Sequence, residues 1–222
     1  MKLLIFFLTF LINITAFANM DFYLSGALKN SISNSDEYCP ATTSKSEILI
    51  TVKDIIYKDF NDLIPAFEEN RIQIREFESS DYFLKTMFKL GHIFKNKRVY
   101  YLDINKNLYH CSPSKIALTA ILAHEIQHIS DYKHATSPEL IKLGIKMIGK
   151  KSRSAYERST DFSVMKLGYS RGLIEYREWI YSRLNDKGLR TKKCFYFTPE
   201  EINRYLQGEL NFTDYFNKYC KD

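Results

Sequence analysis

Apolar residues recur at helical spacing over much of this chain and at strand spacing over a smaller part. Glu47-Ile48-Leu49-Ile50-Thr51-Val52 is a short apolar, β-branched run and reads as a buried strand. Ile55, Ile56, Phe60, Leu63, Ile64 and Phe67 then fall three, four and seven apart. That spacing predicts an amphipathic helix over 53–69, with Pro65 interrupting its last turn. Residues 71–77 alternate and predict a second strand; 80–90 predict a short helix ending at Gly91. Arg98-Val99-Tyr100-Tyr101-Leu102-Asp103-Ile104 is rich in β-formers and predicts a third strand.

The second half reads as helical. Ser112-Pro113 pairs an N-cap residue with a proline at the first helical position, so a helix is expected over about 113–133. Ser137-Pro138 repeats the signal for a helix over 138–149. A further helix is expected over 153–167, stopped by Gly168. Ser170 opens another, carrying Leu173, Tyr176, Trp179, Ile180 and Leu184, and Thr198-Pro199-Glu200-Glu201 opens the last. Strands first and helices after predict an α+β fold, with helices laid against one sheet.

The 222 residues suffice for one sizeable core. The N-terminus reads differently from the rest. Lys2, an apolar run from Leu3 to Ile12 and Ala16-Phe17-Ala18 have the form of a secretory signal peptide. Residues 1–18 are therefore set apart, and 19–222 are read as one domain, exported to the periplasm or beyond. The apolar run is shorter than the roughly 20 residues of a spanning helix, so no stable membrane insertion is expected after cleavage. Cys39, Cys111, Cys194 and Cys220 form no C-x-x-C pair, and an even count in an exported chain predicts disulfides. Three pairings are open; Cys39–Cys111 with Cys194–Cys220 keeps each bridge within one half of the chain. The formal charge of +6 is scattered, densest at Lys150, Lys151 and Arg153, and no recognition motif for nucleic acid accompanies it. Asn211-Phe212-Thr213 is a glycosylation sequon.

The chemistry concentrates in His124-Glu125-Ile126-Gln127-His128. Two histidines four apart share one helix face, one turn apart, and two neutral imidazoles so placed can bind one zinc ion. Glu125 stands beside them, where it can act as a general base on zinc-bound water. Zinc in such a site needs a third protein ligand, and two candidates are present. Glu157 lies on a later helix with Asp161 one turn on, which could hold the free ring nitrogen of a ligand histidine. His134 completes a metzincin-like spacing after His128, but Asp131 stands where that pattern has Gly.

The pairing of His124-Glu125-x-x-His128 with Glu157-x-x-x-Asp161, followed by Gly168-Tyr169, resembles the gluzincin metallopeptidases over about residues 98–185. Thr160 departs from the alanine common there. The stretch from Tyr156 to Trp179, with Phe197-Thr198-Pro199-Glu200-Glu201-Ile202, is also similar to bacterial zincin-like exported proteins of unknown substrate. The resemblance implies a zincin-like fold, with a small twisted sheet packed on the His124–His128 helix. It implies zinc held by His124, His128 and Glu157, Asp161 behind a histidine, and hydrolysis of a peptide or protein. It also implies an edge strand that pairs with substrate, for which 99–104 is the candidate. Tyr132, Tyr156, Tyr169 and Arg177 are available to stabilise an oxyanion, while His92 and His110 read as structural or surface residues. A non-catalytic zinc-binding module of the same fold, and a metal-free polar core, are the competing readings.

Overall fold

Ser44 accepts a hydrogen bond from the Glu47 amide while Glu47 reaches back to the Ser44 amide, and this capping box starts a helix. The computed structural model describes residues 39–79, 83–209 and 220. The signal-peptide reading of 1–18 and the sequon at 211–213 lie outside the described residues. Helix α1 spans Lys45–Asp59, so the strand expected at 47–52 is helical instead. Ile48, Val52, Ile55 and Ile56 form its buried stripe, whereas Leu49 and Ile50 are 46% and 59% exposed. The cap and the helical stripe outweigh the β-branched run.

The helix expected over 53–69 is broken at Phe60. A 3-10 turn, Asn61–Leu63, leads into α2, Ile64–Glu68, where Pro65 sits in the first turn and interrupts no hydrogen bond. Strands β1 (Ile72–Phe77) and β3 (Tyr100–Asn105) follow the sequence reading. The helix expected over 80–90 is instead β2, Leu84–Phe88. Pairing with β3 in antiparallel register, Leu84 opposite Ile104 and Phe88 opposite Tyr100, gives this short segment its conformation. The strand order is β1-β3-β2, with β1 parallel to β3. β3 is therefore central, and the edge-strand expectation for 99–104 fails: its hydrogen bonds are taken on both sides.

After the short α3 (Asn107–His110) comes α4, Lys115–His134, capped by Ser114 rather than Ser112. Buried residues occupy nearly every side of α4, including Ala117, Ala120, Leu122, Ile126 and Ile129. Such a helix needs partners all round. They are α1, β2, α6 (Lys150–Val164) and α7 (Ser170–Tyr181). Arg98 closes the far end of α4, donating to the carbonyls of Tyr132 at 2.9 Å and Ala135 at 2.7 Å. Helix α5 (Ser137–Ile148) connects α4 to α6, its capping box drawn by Thr136 and Glu139. Between α6 and α7 lies one π-turn, Met165–Tyr169, in which Gly168 adopts φ 94°, a conformation that favours glycine. Helix α8 (Asp186–Phe195) had no sequence reading, while α9 (Pro199–Leu206) begins at the expected Thr198.

The two disulfides are Cys39–Cys111 and Cys194–Cys220, the pairing favoured from sequence. Among the described residues no helix is long and apolar enough to cross a membrane. The α4–α7 contact is close at Gly172: a Cβ there would lie 2.5 Å from the Ile116 carbonyl oxygen and 2.6 Å from the Ala120 Cβ. Gly172→Ala should force these helices apart and lower stability by about 1–3 kcal/mol in urea unfolding; an unchanged midpoint would contradict this packing.

Candidate metal centre

Helical periodicity turns His124 and His128 to one face of α4, and Glu157 comes to meet them from α6. The His124 and His128 Nε2 atoms are 3.1 Å apart, and Glu157 Oε2 lies 3.3 Å from the first and 3.4 Å from the second. All three residues are buried. Their ligand atoms lie within 4.8 Å of one another, so the group could hold a metal ion.

The hydrogen bonds behind the rings bear on the donor set. His124 Nδ1 lies 2.9 Å from Asp161 Oδ1. The carboxylate accepts, so Nδ1 carries a proton and Nε2 is the nitrogen turned to the centre, where a bound cation would take the place of its proton. His128 Nδ1 lies 3.1 Å from the Tyr156 hydroxyl, which itself donates to Asp131 Oδ2 at 3.1 Å. That chain gives His128 the same tautomer. Two imidazole lone pairs and a carboxylate oxygen, all turned inward, repel one another unless a cation or protons lie between them. The donor set therefore fits a divalent ion that accepts nitrogen and oxygen ligands.

The local electrostatics favour positive charge at the same place. Burial pushes the His124 pKa down, but hydrogen bonds to Asp161 and Glu157 outweigh it and raise the value to about 10. Burial would raise Glu157, yet its contacts with His124 and His128 hold it well below the usual carboxylate range. Asp161, fully buried, also sits below its ordinary value: burial opposes this, and Arg177, His124 and the Phe197 amide together outweigh it. Asp161 accepts from Arg177 Nη2 at 2.9 and 3.0 Å and from the Phe197 amide at 3.0 Å. One carboxylate thus joins α4, α6, α7 and the chain between α8 and α9.

Glu125 has its own support. Thr86 on β2 donates to Glu125 Oε2 at 2.7 Å and approaches its carbonyl oxygen at 3.1 Å. Nothing in the sequence marks Thr86; it becomes visible only once β2 is a strand lying along α4. Tyr132 stacks on the His128 ring, with centroids 6.2 Å apart and planes at 14°. Tyr196, also unread from sequence, sits with its ring centroid 5.8 Å from that of His124. Tyr169 is bonded to Asp59 and Arg177 is committed to Asp161, so neither is free to serve as an oxyanion donor.

His134 does not join the cluster. It is 63% exposed, bonded at Nδ1 to the Ser130 carbonyl at 2.8 Å, with Nε2 3.6 Å from Asp62. The metzincin spacing fails because α4 runs straight through Asp131 to His134, with no left-handed turn to swing His134 round. Asp131 instead accepts from Gln127 at 2.7 Å and from Tyr156. His92 and His110 lie on other elements, outside the cluster. A surface cleft of about 480 Å³ between α1 and the start of α4, lined by Glu47, Asp54, Lys115 and Tyr169 among others, contains none of the three clustered residues.

No protein-family model matches the chain, and no curated protein or solved structure matches it either. The chemistry of the centre therefore rests on its own geometry.

In equilibrium dialysis against Zn²⁺, His124→Ala, His128→Ala and Glu157→Ala should each lose bound metal, and His134→Ala should retain one ion per chain. Loss confined to His134→Ala would place the third ligand elsewhere. Arg177→Met leaves Asp161 buried without its cation and should cost about 3–5 kcal/mol in denaturant unfolding; a change below about 1 kcal/mol would contradict the role given to that pair.

Proposed function

We propose that this protein is an exported zinc metallopeptidase of the gluzincin type. One observation carries the reading: the His124, His128 and Glu157 ligand atoms converge on one point while Glu125, adjacent in the same helix, is held by Thr86 at 2.7 Å. Zinc bound there would lower the pKa of a coordinated water and polarise a carbonyl oxygen. Glu125 takes the proton of the attacking water and passes it to the leaving amine. The Thr86 hydroxyl fixes one oxygen of that carboxylate, leaving the other for the proton. Asp161 and the Tyr156–Asp131 pair keep both histidines in the tautomer a metal requires.

The edge-strand role implied by the family resemblance passes from 99–104 to β2. Among the described residues that strand ends the sheet, next to α4, and Thr86 on it touches Glu125. A peptide pairing with the outer side of β2 would run past the proton acceptor. Export is supported by the two disulfides, which persist in an oxidising compartment. A structural metal site has no need of a supported carboxylate beside its ligands, which favours the catalytic reading over a binding module.

Glu125→Gln should keep one zinc per chain and lower hydrolysis of a fluorogenic peptide library by about 10²–10⁴-fold. An unchanged rate with zinc retained would sink the mechanism.

A further inference from the structure

Helix α5 buries little of its apolar surface. Leu140 and Gly144 are its buried positions, and it packs on α6. Ile145 and Ile148 lie outside that contact, 60% and 66% exposed. They follow the half-buried Ile141 by four and seven residues, so the three side chains form one ridge along the helix. Lys142 and Lys146 are exposed on the flank of this ridge. Glu139 is the one acidic residue between 137 and 151, and its carboxylate is taken up by the Thr136 amide and hydroxyl, at 2.7 Å each.

A second exposed apolar residue stands at the head of the ridge. Phe94, 72% exposed, belongs to the turn closed by the Lys95 amide on the His92 carbonyl at 2.9 Å. The turn is tied to α5, because the Ile93 carbonyl accepts from Ser137 Oγ at 2.7 Å and from Arg98 Nε at 3.3 Å. Ser137 precedes Ile141 by four residues and Ile148 by eleven, so it lies on the same side of α5 as the ridge. Phe94 and the two isoleucines therefore occupy one edge of the molecule, along about 16 Å of helix. Lys89 and Lys95 are exposed in the same segment, and 89–98 contains no acidic residue.

Separate apolar points among lysines suit one kind of partner. A rigid protein would have to supply a hollow for each point. A second copy meeting the same face would set lysine against lysine. A fluid anionic bilayer closes around single side chains and offers phosphates to the lysines, with no shape match needed. The 12 residues of α5 are too few to cross a bilayer, so such a helix lies on the surface. We propose that α5 and the 92–95 turn dock the folded protein on an anionic phospholipid membrane. Phe94, Ile145 and Ile148 enter the headgroup layer, and Lys95, Lys142 and Lys146 meet the lipid phosphates. This surface is independent of the metallopeptidase reading.

Co-sedimentation with lipid vesicles tests the surface. The processed chain, residues 19–222, is used so that the apolar run at 3–12 does not itself bind lipid. Vesicles of phosphatidylcholine with about one third phosphatidylglycerol should bind it at least about tenfold more tightly than phosphatidylcholine alone. The double variant Ile145→Gln/Ile148→Gln should weaken binding to the anionic vesicles about tenfold or more with no change of charge. Lys142→Gln/Lys146→Gln should weaken it about fivefold per lysine. Lys53→Gln/Lys115→Gln removes the same charge from α1 and from the opposite end of α4, and should stay within about twofold of wild type. Phe94→Gln reads the same contact from a separate element and decides the matter if the isoleucine variant fails to fold. Equal binding to both kinds of vesicle, or to neither, overturns the proposal. So does an equal loss in the Lys53/Lys115 variant, which would mark adsorption by overall charge. Full binding by both the isoleucine and the Phe94 variants overturns it as well. A dimer that forms without lipid and is lost with Ile145 and Ile148, in a chain that binds no vesicle, would assign the ridge to a second copy instead.

Discussion

The fold around the centre depends on one buried carboxylate. Asp161 is wholly inaccessible and accepts from His124, Arg177 and the Phe197 amide. A carboxylate in that position is tolerable only while all of these donors are in place. The requirement fixes α4 against α6, α6 against α7, and the chain leaving α8 against all three. It also fixes the direction in which His124 presents its free nitrogen. The same bond that stabilises the packing therefore sets up the ligand, so structure and chemistry share one constraint. His128 receives an equivalent but looser support from Tyr156 and Asp131, which is partly exposed and lies at the turn after the histidine.

Most of what the sequence makes legible is local: a helix face, a cap, or a run of β-formers such as that of β3. His124 and His128 are one turn apart, as are Glu157 and Asp161, so each pair shares a face before any tertiary structure is known. The capped starts at Thr198 and near residues 114 and 137 were visible for the same reason. Features set by distant contacts were not. Residues 84–88 become a strand because β3 offers hydrogen bonds, not because their own pattern alternates. Residues 45–59 became a helix through a cap that a β-branched run concealed. The edge role for 99–104 came from the family resemblance alone, and order within a sheet is a tertiary fact that places β3 at the centre. Thr86 and Tyr196 belong to no motif, and their places depend on β2 and on the bonds that pin Cys194 and Phe197.

Carboxylates cluster behind and beneath the histidines, which favours a bound cation. A centre that only held a metal for shape would need these groups alone; the Glu125 carboxylate held by Thr86 is the addition on which the proposed hydrolysis rests.

The most direct test of the central claim is anomalous diffraction at the zinc edge from crystals grown with the ion. The account predicts one strong peak about 2.0–2.2 Å from His124 Nε2, His128 Nε2 and a Glu157 carboxylate oxygen, with one position left open to solvent. A peak at His134 and Asp62, or zinc in solution with no ordered peak between the two α4 histidines, would contradict it.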